Sequence, residues 1–96
     1  MHIISKKALK DFWERYPESE KPLKAWYKIV NGSSYASFHA LKAAFNSIDK
    51  VGSKIVFHVS GNKFRLITVV HFNYGRVYIR AILTHLEYDN ERWKNG

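Results

Sequence analysis

The 96-residue chain contains no cysteine, one methionine, two prolines and five glycines. Without a thiol it can build no disulfide framework, no cysteine zinc finger and no cysteine nucleophile. Its apolar runs are a handful of residues long, far short of the roughly 20 that a membrane-spanning helix needs. The opening MHIISKKALKDF lacks the apolar centre of a secretory signal, so a cytoplasmic location with no membrane association is expected. The local scarcity of acid is more informative. Between Lys50 and Leu86 no carboxylate side chain occurs.

Hydrophobic residues make up 46% of the chain and aromatics 16%, which suits a packed core and argues against disorder. The length fits a single domain covering residues 1–96. The formal net charge is +8, unevenly spread. Residues 1–49 hold eight bases and five acids, residues 50–86 six bases and no acid, and residues 87–96 two bases and three acids. A surface of one sign favours a polyanion such as nucleic acid, or an acidic partner. The plainer reading is a solubilising surface.

Local patterns predict the order β-α-α-β-β-β. Met1 to Ile4 reads as a short strand, and Ser5 as the N-cap of a helix to about Tyr16, stopped by Pro17. Leu9, Phe12 and Trp13 lie on one face of that helix. A second helix is expected from near Pro22 to Asn31-Gly32, and a short third one over Phe38 to Phe45. Ser47 to Ser53 reads as a loop. The period then changes to that of strands over Lys54–Val59, Lys63–Phe72 and Arg76–Leu83, with Gly61-Asn62 as a two-residue turn. The expected fold class is α+β, an antiparallel meander packed on N-terminal helices, with a short helix or tail at the C-terminus.

That turn pairs Val59 with Phe64, His58 with Arg65 and Phe57 with Leu66. One sheet face then carries Ile55, Phe57, Val59, Phe64, Leu66, Thr68, Val70 and Phe72, and Val77, Ile79, Ala81 and Leu83 are expected to join it. The opposite face carries Lys54, His58, Lys63, Arg65, His71, Arg76, Tyr78 and Arg80, with Val56, Ile67, Val69 and Ile82 between them. Basic, aromatic and partly apolar, it has the character of a surface on which a phosphate backbone lies.

A two-residue turn in the next hairpin would set Arg65 opposite Thr84 or Ile82. If the chain beyond that strand curls back, His58, Arg65, His85 and Tyr88 converge at one end of the sheet. Cleavage of RNA by its own 2′-hydroxyl needs a base, a cation for the phosphorane-like charge and an acid for the leaving 5′-oxygen. Histidine suits either proton transfer, arginine grips two phosphate oxygens at any relevant pH, and tyrosine can stack, position or donate. No metal or cofactor enters this route. His2 and His39 stand without ligand partners at a recognisable spacing, and His71 reads as a surface residue. Trp13 and Trp26 read as core residues.

The run Val56-Phe57-His58-Val59-Ser60-Gly61-Asn62-Lys63-Phe64-Arg65-Leu66-Ile67, then Val77-Tyr78-Ile79-Arg80 and Thr84-His85-Leu86-Glu87-Tyr88-Asp89, resembles the HigB family of bacterial toxins. Lys7-Ala8-Leu9-Lys10-Asp11, Tyr16-Pro17 and Leu41-Lys42-Ala43-Ala44-Phe45 extend the likeness over nearly the whole chain. The resemblance implies a RelE/ParE-like fold and an mRNA interferase, a ribosome-dependent endoribonuclease of a type II toxin–antitoxin system. It implies a HigA-type helix-turn-helix antitoxin as partner, with operator DNA reached only through that antitoxin. Carried over by motif, Arg65 stabilises charge, His85 transfers a proton and Tyr88 positions substrate or transfers a proton. Lys54, His58, Lys63 and Arg80 are assigned to RNA phosphates. His58 departs from the Asn or Lys frequent at its position. Two other readings compete: a non-catalytic basic nucleic-acid-binding module, and a ParE-like toxin acting on gyrase, in which His85 and Tyr88 would have no task.

Overall fold

The computed structural model describes residues 1–61, 63–90 and 92–95, with positions 92 and 95 as backbone alone. The order is β1 (His2–Ile4), α1 (Lys6–Arg15), a 3₁₀ turn (Pro17–Ser19), α2 (Glu20–Asn31), α3 (Phe38–Ala44), β2 (Ile48–Val51), β3 (Lys54–Val59), β4 (Phe64–His71), β5 (Arg76–Thr84), α4 (His85–Asp89) and a last 3₁₀ turn (Arg92–Asn95). The expected α+β class is present. The strands form one sheet in the order β1-β5-β4-β3-β2, antiparallel from β2 to β5, with β1 added parallel to β5.

The helices follow from their apolar spacing. α1 buries Leu9 and Phe12, and α2 buries Leu23, Trp26 and Val30, each set three or four residues apart on one face. Pro17 follows α1 and opens the 3₁₀ turn. α2 begins at Glu20, slightly before Pro22. A proline in the first turn costs little, because its missing N–H would have no helical partner there. Ser37 Oγ accepts the Ala40 N–H at 3.2 Å and caps α3. These helices cover the sheet face formed by Ile55, Phe57, Val59, Phe64, Leu66 and Val77. Trp26 and Phe45 both meet the Phe57 ring edge-on, at 5.3 and 5.2 Å.

The β3–β4 pairing is as expected: Val59 with Phe64, His58 with Arg65, Phe57 with Leu66. Asn62, half of the expected turn, lies outside the described residues. Elsewhere the structure corrects the sequence expectations. Ile48–Val51, inside the expected loop, is strand β2, joined to β3 by the two-residue turn Gly52-Ser53. Gly52 takes φ of 62°, which a side chain would strain, and so permits this tight hairpin.

The second correction concerns parity. Four residues, Phe72 to Gly75, separate the paired His71 and Arg76, and a bulge between Ile67 and Thr68 shifts the register beyond it. Thr68 pairs with Ile79 but Ile67 pairs with Ala81, so Arg80 is the extra residue. Past this point the faces exchange. Ile82 and Thr84 stand opposite Leu66 and Phe64, while Ala81 and Leu83 stand opposite Ile67 and Arg65. Ala81 and Leu83 therefore leave the core face they were expected to share, and Arg65 faces Leu83 instead of Thr84 or Ile82.

The second sheet face is also more covered than its composition suggests. Val56, Ile67 and Arg65 are all buried. α4 packs back over β4 and β5, and Trp93 borders the β2–β3 turn. Among the described residues no helix is long and apolar enough to cross a membrane.

The parity exchange is open to test by substitution. Ile82→Asn puts an amide against the core and should cost about 1–3 kcal/mol. Leu83→Asn should cost distinctly less by urea denaturation. Equal losses, or the reverse order, would contradict the bulge register.

Candidate active site

The site is assembled on the second face, where β3 and β4 place His58 directly across from Arg65. Arg65 is only 4% exposed. Its Nη1 donates to the Phe64 carbonyl at 3.2 Å, while its buried Nε has no partner. A buried, incompletely bonded guanidinium is costly unless an anion or another favourable contact compensates it. Part of the compensation comes from Tyr88, whose ring centroid lies 5.2 Å from the guanidinium carbon. Trp93 stacks on the Tyr88 ring at 4.9 Å and 15°, and donates its indole N–H to the Tyr88 carbonyl at 2.8 Å.

Tyr88 reaches this position through the local sequence. Thr84 ends β5 and caps α4: its Oγ1 accepts the Glu87 N–H at 3.3 Å, and its own N–H donates to Glu87 Oε1 at 2.9 Å. This reciprocal capping box, T-x-x-E, starts a helix at the strand end. The His85 N–H donates to the Lys63 carbonyl at 3.0 Å and ties that start to β4's approach. One helical turn then carries Tyr88 over Arg65.

Asp49 completes the cluster. It pairs with Val56 on the neighbouring strand, and as a diagonal neighbour its Oδ2 lies 2.8 Å from His58 Nε2. The phenol of Tyr88 has its pKa raised by burial first and by the Asp49 carboxylate second, with Arg65 and Lys94 opposing and Asp89 adding a smaller upward push. Tyr88 is thus held as a neutral hydrogen-bond donor.

Of the sequence candidates, His58, Arg65 and Tyr88 come together. His85 begins the same helix as Tyr88, but its side chain is 53% exposed and its Nε2 lies 3.3 Å from Asp89 Oδ2. With Lys63 it borders a separate depression that includes Tyr16, Glu18, Phe64 and Leu86. Lys54 lies four residues before His58 on its strand face, about 13 Å away along the strand. There it borders a hollow with Gly52, Ser53, Trp93 and Lys94. Arg80, the bulge residue, was expected on the second face. It lines a hollow with Ala8, Asp11, Phe12 and Arg15 of α1, because the extra residue turns it out of the strand's alternation.

Asp49 and Trp93 did not emerge as site residues from the sequence. For Asp49 the available signal was Gly52-Ser53, a hairpin turn pair placed just before the strand that opens at Lys54. For Trp93 the chain shows no comparable local signal.

A sheet backed by helices on one face, with a covered arginine and tyrosine at the end of the other, defines a small α+β protein of the RelE-like kind. Residues 19–91 match the family model described as HigB_toxin, RelE-like toxic component of a toxin-antitoxin system. The chain belongs to this HigB toxin family. It is 38% identical over 92 residues to the protein named mRNA interferase toxin HigB from Escherichia coli K12, covering 93% of this chain and 88% of that one. The same figures hold for the mRNA interferase HigB of Shigella flexneri. That of Escherichia coli O6:H1 is 30% identical over 92 residues, covering 93% of this chain and 89% of the relative.

The raised pKa of Tyr88 makes a stability prediction with a defined sign. The fold prefers the neutral phenol, so this preference is fully present below the unfolded tyrosine value of about 10 and is lost as pH rises through the higher folded value. The stability difference between wild type and Tyr88→Phe should be flat from about pH 7 to 9 and turn against wild type above about pH 10. Urea denaturation across that range tests it. A difference that stays flat into the alkaline range would show that the phenol is not perturbed.

Proposed function

We propose that this chain is an mRNA interferase toxin, a single domain over residues 1–96 that cleaves messenger RNA on the translating ribosome and thereby stops protein synthesis. The observation that carries this is Arg65: a buried guanidinium with an unpartnered Nε, beneath a tyrosine and beside a histidine. A phosphodiester supplies the anion that such a group lacks. Planar, bidentate contact with the scissile phosphate places positive charge where negative charge develops during 2′-hydroxyl attack.

Tyr88, kept neutral, donates its phenolic hydrogen to orient the reacting group. His85, the histidine of the T-H-x-E-Y motif, moves a proton in the same step. Lys63 and His58 lie against the phosphates next to the cleaved bond, Lys54 holds a phosphate further along β3, and Arg80 holds one from its place on β5 beside α1. The chain's own side chains supply every proton and charge in this route, so cleavage proceeds without a metal ion. A HigA-type helix-turn-helix antitoxin binds and silences the toxin, operator DNA is reached only through that antitoxin, and the site of action is the cytoplasm, where the ribosomes are.

Induced expression followed by 5′-end mapping of cellular transcripts tests the reading. Wild type should create new ends within translated regions. Arg65→Lys keeps the charge but loses the planar fork, so cleavage should fall far more than ribosome binding. His85→Gln should lower the rate about 10²-fold to 10⁴-fold. Wild type that binds RNA yet creates no new ends would make the protein a binding module. Arg65→Lys at full activity would show that a point charge suffices.

A further inference from the structure

We propose that Asp49 is a positioning residue that sets His58 as the base for the 2′-hydroxyl, an inference that rests on the endoribonuclease reading above. An ionised carboxylate can only accept a hydrogen bond, so the 2.8 Å contact between Asp49 Oδ2 and His58 Nε2 requires the proton to sit on Nε2. In the neutral imidazole this leaves the lone pair on Nδ1, free to accept a proton. The same carboxylate faces the imidazolium once that proton has been taken, as the orienting carboxylate does in other base–carboxylate pairs.

Three features favour this histidine over His85 for the base. His58 is the direct cross-strand neighbour of Arg65, so a phosphate held by the guanidinium lies beside its ring. Its side chain is 22% exposed, against 53% for His85, whose contact with Asp89 is longer and lies within one exposed helical turn. Asp49 and His58 also sit on two strands locked by the tight Gly52-Ser53 turn, which holds the pair more firmly than a five-residue helix can.

The step balances without a further reactant. The 2′-hydroxyl proton passes to His58 Nδ1 as the 2′-oxygen bonds to phosphorus. The bond from phosphorus to the 5′-oxygen breaks, and that oxygen takes a proton from His85. The products are a 2′,3′-cyclic phosphate and a 5′-hydroxyl, and the two histidines return to their starting states by exchange with water.

The test joins a spectroscopic measurement to a kinetic one. The ¹⁵N spectrum of the imidazoles, with His58→Gln identifying the signal, should report the Nε2–H tautomer for His58 in wild type. In Asp49→Asn, whose amide can also donate, that population should shift toward Nδ1–H. Single-turnover cleavage of ribosome-bound mRNA should fall about 10²-fold to 10⁴-fold in Asp49→Asn and in His58→Gln, with ribosome binding little changed. The double variant should be no slower than the worse single one, because the two act as a unit. Losses that multiply, wild-type cleavage in Asp49→Asn, or a rate loss without a tautomer change would each overturn the assignment of Asp49. Should Asp49→Asn lose the sheet, His58→Gln, which leaves β2 untouched, tests the base by the same rate measurement, and wild-type cleavage in it would overturn the proposal. Wild type that cleaves no mRNA overturns the interferase reading, and the base assignment falls with it.

Discussion

A cation kept out of water needs reasons to stay there, and the guanidinium of Arg65 is the group around which the second face of the sheet is arranged. Left in a low-dielectric setting with one nitrogen unbonded, it would be expelled or would destabilise the strand that carries it. The Tyr88 ring and the Phe64 carbonyl together make the position tolerable. What remains is the unpartnered Nε. The cost of holding that charge and the phosphate contact proposed for it have one physical origin.

Holding Tyr88 over that charge depends on a short chain of local events. The bulge opposite Ile67 and Thr68 adds one residue to β5, and the strand ends with Thr84 on the helical side of the sheet. Thr84 and Glu87 then form the capping box that starts α4 at once. Remove the extra residue and every side chain from Ala81 to Thr84 changes face, because strand parity has a period of two. The direction in which the chain leaves the sheet would change with it. Arg80, set in a hollow beside α1 and away from the second face, thus helps decide where Arg65 and Tyr88 meet.

The acid-free stretch favours a polyanionic partner, yet one acid of the candidate site is invisible in that stretch. Asp49 lies immediately before residues 50–86. Folding the β2–β3 hairpin brings it back against His58, in the middle of the basic segment. Linear charge bookkeeping describes the long-range field that attracts a phosphate backbone. It says nothing about which carboxylate comes to lie 2.8 Å from the His58 ring.

Much of this protein was nonetheless determined by the sequence alone. The α+β class, the apolar stripes of α1 and α2 and the pairing of His58 with Arg65 rest on short-range periodicity and turn chemistry, and the HigB likeness rests on runs of residues that resemble that family. Such signals are local, so they survive without coordinates. The tertiary structure decided the rest. Strand β2 is only four residues long with two of them charged, so its strand pattern is weak until β3 offers it a partner. The bulge, the exchange of Leu83 for Ile82 in the core, the displacement of Arg80 and the meeting of Asp49, His58, Arg65 and Tyr88 depend on register between distant segments. Register is set by which side chains can be buried together across strands, a condition that no single segment carries within itself.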